Sequence, residues 1–255
     1  MPLDFNTLTP QIERVINMIA TGYNRAPGSI LTEADLQGHL QSRLGRLRAL
    51  RNPAPTLDPY ILGSHVHLEL PWYDERGKLR IRPDITIIEP EEMSILHGCS
   101  PPVIDPFSSA HGFFPRARPL PSKQYEFAGK AVILELKFAR TGINRVVFEK
   151  VRYDLNKVMR LFRKLDQEGE GESVFAFLVV FNKLPQKLEE TPLADFVRQH
   201  GSGPRHRILY RACNPRPATE PVDRRYSGSH DLVITSPPYF SAYPKQGRRG
   251  RRAGR

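Results

Sequence analysis

Cysteine is scarce in this 255-residue chain, which has only Cys99 and Cys213. Two cysteines cannot provide the disulfide framework of a small secreted domain, and their spacing matches no zinc site. Long apolar runs are also missing, because none reaches the roughly 20 residues of a membrane span. The N-terminal residues MPLDFNTLTPQIERV lack the basic and then apolar regions of a signal peptide. These absences predict a cytoplasmic protein with reduced thiols and no membrane partner.

Positive charge, by contrast, is in excess. The formal net charge of +11 favours a polyanionic partner, most often nucleic acid. Five arginines and a lysine of that excess lie in the C-terminal segment PKQGRRGRRAGR, so the rest of the chain is only moderately basic. The charge therefore supports a DNA partner without establishing one.

The hydrophobic periodicity predicts alternating helices and strands. Helices are expected over Pro10–Tyr23, from an N-cap at Thr32 to about Leu50, from about Asn144 to Leu165, and near Thr191–His200. Strands are expected as a hairpin over 63–89 with its turn at 74–77, and in GKAVILELKFA, ESVFAFLVVFN and HRILYRA. The first of these three segments is almost continuously apolar, which is typical of a central strand. The order predicts an α/β fold with one domain over 1–213.

Two segments have the composition of loops. Residues 90–122 are rich in proline, glycine and serine and show no period, so we expect an insertion loop there. After Cys213 the composition turns to Pro, Arg, Ser and Gly, which predicts a flexible basic tail over 214–255.

Charged residues interrupt two of the predicted strands. Pro83-Asp84 lies inside KLRIRPDITIIEP, and Glu135 and Lys137 lie inside the central strand. Residues two apart share a strand face, so Glu135 and Lys137 point together while Leu136 points into the core. Opposite charges on a buried strand are costly unless they are paired or bind a metal. Since the Asp84 strand can pair with the central strand, we expect two carboxylates and a lysine to converge.

At these residues the sequence resembles the PD-(D/E)XK nuclease superfamily. Pro83-Asp84 matches the PD half of its motif, and Glu135-Leu136-Lys137 matches the ExK half. The resemblance implies a restriction-endonuclease-like fold, in which helices flank a central mixed sheet with an αβββαβ core. It also implies a metal-dependent endonuclease that hydrolyses phosphodiester bonds in DNA, in restriction or DNA defence.

The resemblance further implies roles for individual residues. Asp84 and Glu135 are expected to bind Mg²⁺ or Mn²⁺, assisted by the backbone carbonyl of Leu136. Lys137 is expected to be the catalytic lysine, which positions the attacking water or helps to deprotonate it. Glu33, on the helix before the hairpin, corresponds to a further acidic residue of many members and is expected to join the catalytic site by supporting a second metal ion or the ligands of the first. Asp35 is a weaker candidate. The helix after the ExK motif is expected to contribute Asp154 or Lys150. The chain departs from the family in the long separation between its two half-motifs, which requires the proline-rich loop to bulge out of the hairpin.

Other polar and aromatic residues have two interpretations each. His65 and His67 share a predicted strand face and could bind metal or DNA, although a solvated face is favoured. Lys150, Lys157, Arg160 and Lys164 form a helix stripe that fits either a phosphate backbone or ion pairs with Asp154. Trp72 and Tyr73 could stack on bases, but core positions are favoured.

The tail carries a second resemblance. Asp231–Tyr239, which includes TSPPY, is similar to the catalytic motif of amino-type DNA methyltransferases. No Gly-rich loop for S-adenosylmethionine accompanies it, so we do not expect methylation. A truncated nuclease–methyltransferase fusion, a reading-frame remnant and chance all remain as explanations. A non-catalytic nucleic-acid-binding module of the same fold is the main alternative function. A homodimer is one expectation, because cutting both strands of a duplex often needs two sites.

Overall fold

The computed structural model describes residues 3–73, 79–95, 125–127, 129–167 and 169–214. These residues belong to the first of two units of the chain, Met1–Arg216, and the second unit, Pro217–Arg255, lies outside the described residues. The described residues thus exclude nearly all of the predicted basic tail, including the TSPPY stretch. They also exclude most of the predicted insertion loop. No helix of the described part is long and apolar enough to cross a membrane.

The described residues form four helices and twelve strands. The helices are α1 (Phe5–Arg25), α2 (Glu33–Leu44), α3 (Arg145–Gln167) and α4 (Ala194–His200). The strands are β1 (Ala54–Pro55), β2 (Leu62–Gly63), β3 (Val66–Leu68), β4 (Trp72–Tyr73), β5 (Leu79–Ile81), β6 (Ile85–Ile88), β7 (Met93–Ile95), β8 (Tyr125–Phe127), β9 (Ala131–Ala139), β10 (Val174–Asn182), β11 (Ser202–Gly203) and β12 (His206–Ala212).

Six of the strands form one mixed sheet in the order β11-β12-β10-β9-β6-β3. Strands β3, β6 and β9 are antiparallel neighbours, whereas β9, β10 and β12 run parallel. The predicted central strand is confirmed, because β9 lies inside the sheet between β10 and β6. The protein therefore has a mixed α/β fold built on a six-stranded sheet.

Helices cover both faces of this sheet. Val132, Leu134 and Leu136 of β9 pack into one hydrophobic cluster with α1 and α2. Ile133 of the same strand packs into a second cluster with α3. The alternation confirms that Leu136 points into the core, and it places Glu135 on the α3 face of the sheet.

Two helix boundaries differ from their predictions. Helix α1 begins at Phe5 rather than Pro10, because the Asp4 carboxylate caps it by accepting from the backbone N–H groups of Asn6 and Thr7. Helix α2 ends at Leu44, just before Gly45, instead of continuing to Leu50. Its predicted N-cap at Thr32 is confirmed.

The predicted hairpin is present, but in two sections. β3 pairs with β6, and β4 pairs separately with β5. Pro83-Asp84 lies at the break on one strand. On the other strand Glu69 has a positive φ of 47°, and its N–H donates to the Asp84 carbonyl at 3.1 Å. The proline thus marks the interruption between the two sections of the hairpin. Residues 74–78 at the tip of the hairpin lie outside the described residues.

The insertion does not begin as an irregular loop. Residues Pro90–Glu92 form a 3₁₀ turn, and β7 pairs antiparallel with β8. The predicted insertion loop therefore begins with regular structure over residues 90–95. The two ends of the insertion pair with each other, which is a non-local contact that the absence of a local period does not indicate.

Helix α2 depends on its N-terminal cap for stability. Thr32 Oγ1 accepts from the Asp35 N–H at 3.1 Å, and the Asp35 carboxylate accepts from the Thr32 N–H at 2.8 Å. We expect Thr32→Ala to lower the free energy of unfolding by about 1 kcal/mol, because it leaves an N-terminal N–H unpaired. Urea denaturation measures this change. Thr21→Ala, at an exposed position of α1, is the matched control, and equal stability of the two variants would contradict the role of the cap.

Candidate active site

The register of the central sheet brings the two predicted half-motifs together. β6 pairs with β9 so that Ile85 lies opposite Leu134. Continuing this register by one residue places Asp84 opposite Glu135. Directly opposite residues of an antiparallel pair project from the same face. The predicted metal ligands are therefore neighbours, on the face that α3 covers.

Carboxylates replace backbone acceptors where the β6–β9 ladder ends. Asp84 Oδ2 accepts a hydrogen bond from the Leu136 N–H at 2.6 Å. Two residues along β9, the Phe138 N–H donates to Glu33 Oε2 at 3.0 Å. Glu33 is the first residue of α2, so this bond also holds the start of that helix against the strand. The predicted site residues Glu33 and Asp84 are thus both fixed by the backbone of β9.

Lys137 and Glu135 are connected through α3. Lys137 Nζ donates to the Leu136 carbonyl at 2.6 Å and pairs with Asp154 Oδ2 at 2.9 Å. Lys157 Nζ lies 2.8 Å from Asp154 Oδ1 and 3.4 Å from Glu135 Oε1. Asp154, which is buried, therefore holds both ammonium groups, and Lys157 links it to Glu135. We call Glu33, Asp84, Glu135, Lys137, Asp154 and Lys157 the carboxylate–lysine cluster.

Negative charge is in excess within this cluster. Four carboxylates face two ammonium groups, which leaves a formal charge of −2. Burial, together with the charges of Asp154 and Asp84, raises the pKa of Glu135 to about 7, although Lys157 and Lys137 act to lower it. Burial also raises the pKa of Asp84, more than its hydrogen bond from Leu136 lowers it. A bound divalent cation would offset this charge.

Lys137 remains positively charged in this setting. Burial acts to lower its pKa, but the hydrogen bond to Asp154 and the charges of Asp154, Glu33 and Asp84 outweigh burial and raise its pKa. An ammonium group at neutral pH can orient a water molecule or stabilise developing negative charge. A raised pKa works against a role as proton acceptor. Of the two predicted uses of Lys137, the structure thus favours positioning and charge stabilisation.

The donor set suits a hard divalent cation. Within the described residues, no group of three or more His, Cys, Asp or Glu side chains is placed to hold a metal ion. Mg²⁺, however, is usually bound through one or two carboxylates, with water and substrate phosphate completing its shell. Asp84, Glu135 and the Leu136 carbonyl supply such oxygens, and the excess negative charge favours a cation. These residues therefore fit the predicted Mg²⁺ or Mn²⁺.

The histidines differ from their favoured interpretation. His65 is buried, and its Nδ1 lies 3.1 Å from the Ile88 carbonyl, so the prediction of a solvated strand face is wrong for this residue. The expectation that His65 and His67 share a strand face fails because β3 begins only at Val66, so His65 lies outside the strand. His67 is partly buried, and its Nε2 lies 2.7 Å from the Ser64 carbonyl.

Two further predictions, for Trp72 and Cys213, can be compared with the structure. Trp72 is buried in the core, as favoured, whereas the side chain of Tyr73 lies outside the described part. Cys213 is buried, and burial raises its pKa to about 12, which makes it an inert thiol. Cys99 lies outside the described residues.

The structure confirms the ion-pair interpretation of the helix stripe for Lys157, and the phosphate-backbone interpretation stays a prediction. Lys157 forms the ion pair with Asp154 that the second interpretation proposed, while Lys150 and Arg160 are exposed. Asp154 and Lys150 were the two residues that α3 was expected to contribute to the site, and of these Asp154 contacts Lys137. The contact between Lys157 and Glu135 had no counterpart among the predictions. The i,i+3 spacing of Asp154 and Lys157 was its only signal.

Comparison with known proteins identifies no relative, since no family model, curated protein or solved structure matches the chain. The function of the cluster must therefore be inferred from its own geometry and chemistry.

Glu135 should make the stability of the metal-free protein depend on pH. Its pKa rises from an ordinary 4.5 to about 7 on folding, so the folded state holds more protons over that range. Stability is then greatest below the unfolded pKa and is lost as the pH rises through about 7. Between pH 6 and pH 8 in EDTA, the free energy of unfolding should fall by about 1 kcal/mol more for the wild type than for Glu135→Gln.

Urea denaturation at the two pH values measures this difference. Glu189→Gln, at an exposed position, is the control and should keep the pH dependence of the wild type. If Glu135→Gln also kept the pH dependence of the wild type, the raised pKa would not belong to Glu135.

Proposed function

We propose that this protein is a metal-dependent endodeoxyribonuclease of the PD-(D/E)XK superfamily, with a restriction-endonuclease-like fold. The observation that carries the proposal is the convergence of Asp84, Glu135 and Lys137 on one sheet face, at the end of the β6–β9 ladder. Residues far apart in the chain thus provide two carboxylates, a carbonyl and an ammonium group in one place. These groups can hold a divalent cation and stabilise charge, which are two uses that metal-assisted phosphodiester hydrolysis makes of a protein.

The order of elements supports the proposed fold. Helix α2 is followed by the antiparallel strands β3, β6 and β9, and then by α3 and the parallel strand β10. This is the αβββαβ order that the resemblance implies. The insertion leaves between β6 and β9 through the β7–β8 pair, which accommodates the long separation of the two half-motifs.

Each residue of the cluster has a specific task in the proposed reaction. Asp84, Glu135 and the Leu136 carbonyl would hold the metal ion, which when bound polarises a phosphoryl oxygen and lowers the pKa of a coordinated water. The Lys137 ammonium group, fixed by Asp154, would orient the attacking water and stabilise charge on the phosphoryl oxygens. Glu33 supports this arrangement by fixing the backbone of β9 at Phe138.

A non-catalytic nucleic-acid-binding module is the second candidate. It is favoured by the ion pairs of Lys137 and Lys157 with Asp154, because these pairs connect α3 to the sheet and have a structural use of their own. A protein that had lost turnover would keep these pairs for stability. Metal-dependent cleavage separates the two candidates.

The test is cleavage of plasmid and single-stranded DNA with Mg²⁺, Mn²⁺ or EDTA. We expect the wild type to cut with either metal and not in EDTA. Asp84→Asn and Lys137→Ala should each reduce the rate by roughly 100-fold or more, because each removes charge from the transition-state environment. Asp195→Asn and Lys187→Ala change the same residue types at exposed positions and should leave the rate unaltered.

The outcomes discriminate between the candidates. Metal-dependent cutting that both site variants lose supports the nuclease and its site together. DNA binding by the wild type without cutting supports the binding module. Cutting that survives both substitutions would show that other residues carry the reaction.

A further inference from the structure

An open groove adjoins the carboxylate–lysine cluster. It has a volume of about 600 Å³ and runs along the N-terminal half of α3. Lys137 and Asp154 of the cluster form one end of its lining, and Arg145, Lys150 and Tyr153 contribute further along the helix. The groove is therefore continuous with the proposed active site.

Tyr153 is exposed in this groove although it is a large aromatic residue. Its exposed fraction is 63%. The Lys157 ammonium lies 5.6 Å from the centre of its ring, and the same ammonium contacts Asp154 and Glu135. This contact places the aromatic ring beside the cluster while leaving most of its surface open. An aromatic surface in this position can stack with a planar ligand.

Basic side chains accompany the tyrosine. Lys150 precedes Tyr153 by three residues on α3, so the two share a helix face. Arg145 and Lys150 are exposed, and within the described part of the chain no carboxylate pairs with either. The carboxylate of Glu149, which also lines the groove, pairs instead with Arg152 at 2.6 Å. The groove thus offers two unneutralised cations next to an aromatic surface.

We infer that this groove binds an unpaired nucleotide of the substrate strand, next to the phosphate that is cleaved. The base stacks on Tyr153, and Arg145 and Lys150 contact the phosphate backbone. Bases inside a duplex are covered on both faces by their neighbours, so only an unpaired base can use the aromatic surface. The inference rests on the proposed function for the nature of the ligand, and it specifies the substrate class: single-stranded DNA, or duplex DNA with an unpaired segment.

Binding in EDTA, without cleavage, tests the groove directly. The probe is a fluorescein-labelled oligodeoxythymidine of about twelve nucleotides, followed by fluorescence anisotropy. Tyr153→Ala should weaken binding by roughly tenfold, because stacking on an aromatic side chain is lost. Tyr153→Phe keeps the ring and should bind like the wild type. Tyr60→Ala is the matched control, since Tyr60 is 95% exposed and lies outside the groove.

Two further measurements examine the class of ligand. Lys150→Ala should reduce the slope of log affinity against log salt by about 0.7, the contribution of one phosphate contact to a single strand. A blunt duplex should bind wild type and Tyr153→Ala equally well. Equal binding of the oligonucleotide by Tyr153→Ala and Tyr60→Ala would overturn the inference, as would an equal loss of single-stranded and duplex binding.

The failure of this inference is distinguishable from failure of the nuclease proposal. If Tyr153→Ala binds like the wild type while Asp84→Asn abolishes cleavage, the groove assignment is wrong and the nuclease stands. If oligonucleotide binding depends on Tyr153 but no metal supports cleavage, the groove stands as a binding site without the nuclease. Circular dichroism melting verifies that each variant is folded, which the exposure of Tyr153 leads us to expect.

Discussion

The backbone N–H groups of Leu136 and Phe138 extend past the end of the β6–β9 ladder, where a partly buried donor needs an acceptor. Asp84 and Glu33 supply one carboxylate each. This single requirement fixes the end of β9, the entry to β6 and the start of α2 relative to one another. The same bonds hold Asp84, which faces Glu135 across the strands, and bring Glu33 close enough to act electrostatically on Asp84 and Lys137. The part of the sheet that needs side-chain acceptors is therefore also the part at which negative charge collects.

The negative charge of the cluster is partly compensated by Lys137 and Lys157, and both of these lysines pair with Asp154. It receives Lys137 from the sheet and Lys157 from its own helix, so the packing of α3 on the sheet is also an electrostatic connection. Removing one member of a buried ion pair leaves its partner uncompensated, which generally costs more than the pair contributes. Stability and the proposed chemistry thus depend on the same side chains.

Local patterns predicted the parts of this arrangement that depend on neighbours in sequence. The period of two placed Glu135 and Lys137 on one face, and the unbroken apolar run identified β9 as central. The facing of Asp84 and Glu135 depends on strand register, and the reach of Lys157 depends on how α3 docks; neither leaves a local signal. His65 was misjudged for a related reason, since its burial results from a contact with Ile88 on another strand.

The Leu136 carbonyl shows how ion pairing and the proposed chemistry can coexist. It accepts a hydrogen bond from Lys137, yet a carbonyl oxygen has two lone pairs and can serve a second partner. Asp154 holds the same ammonium independently at 2.9 Å. Lys137 would therefore stay beside the groove even if its bond to the carbonyl were lost. A lysine anchored by a neighbouring helix in this way keeps its charge and its position, which are the two properties that stabilisation of a phosphoryl group demands.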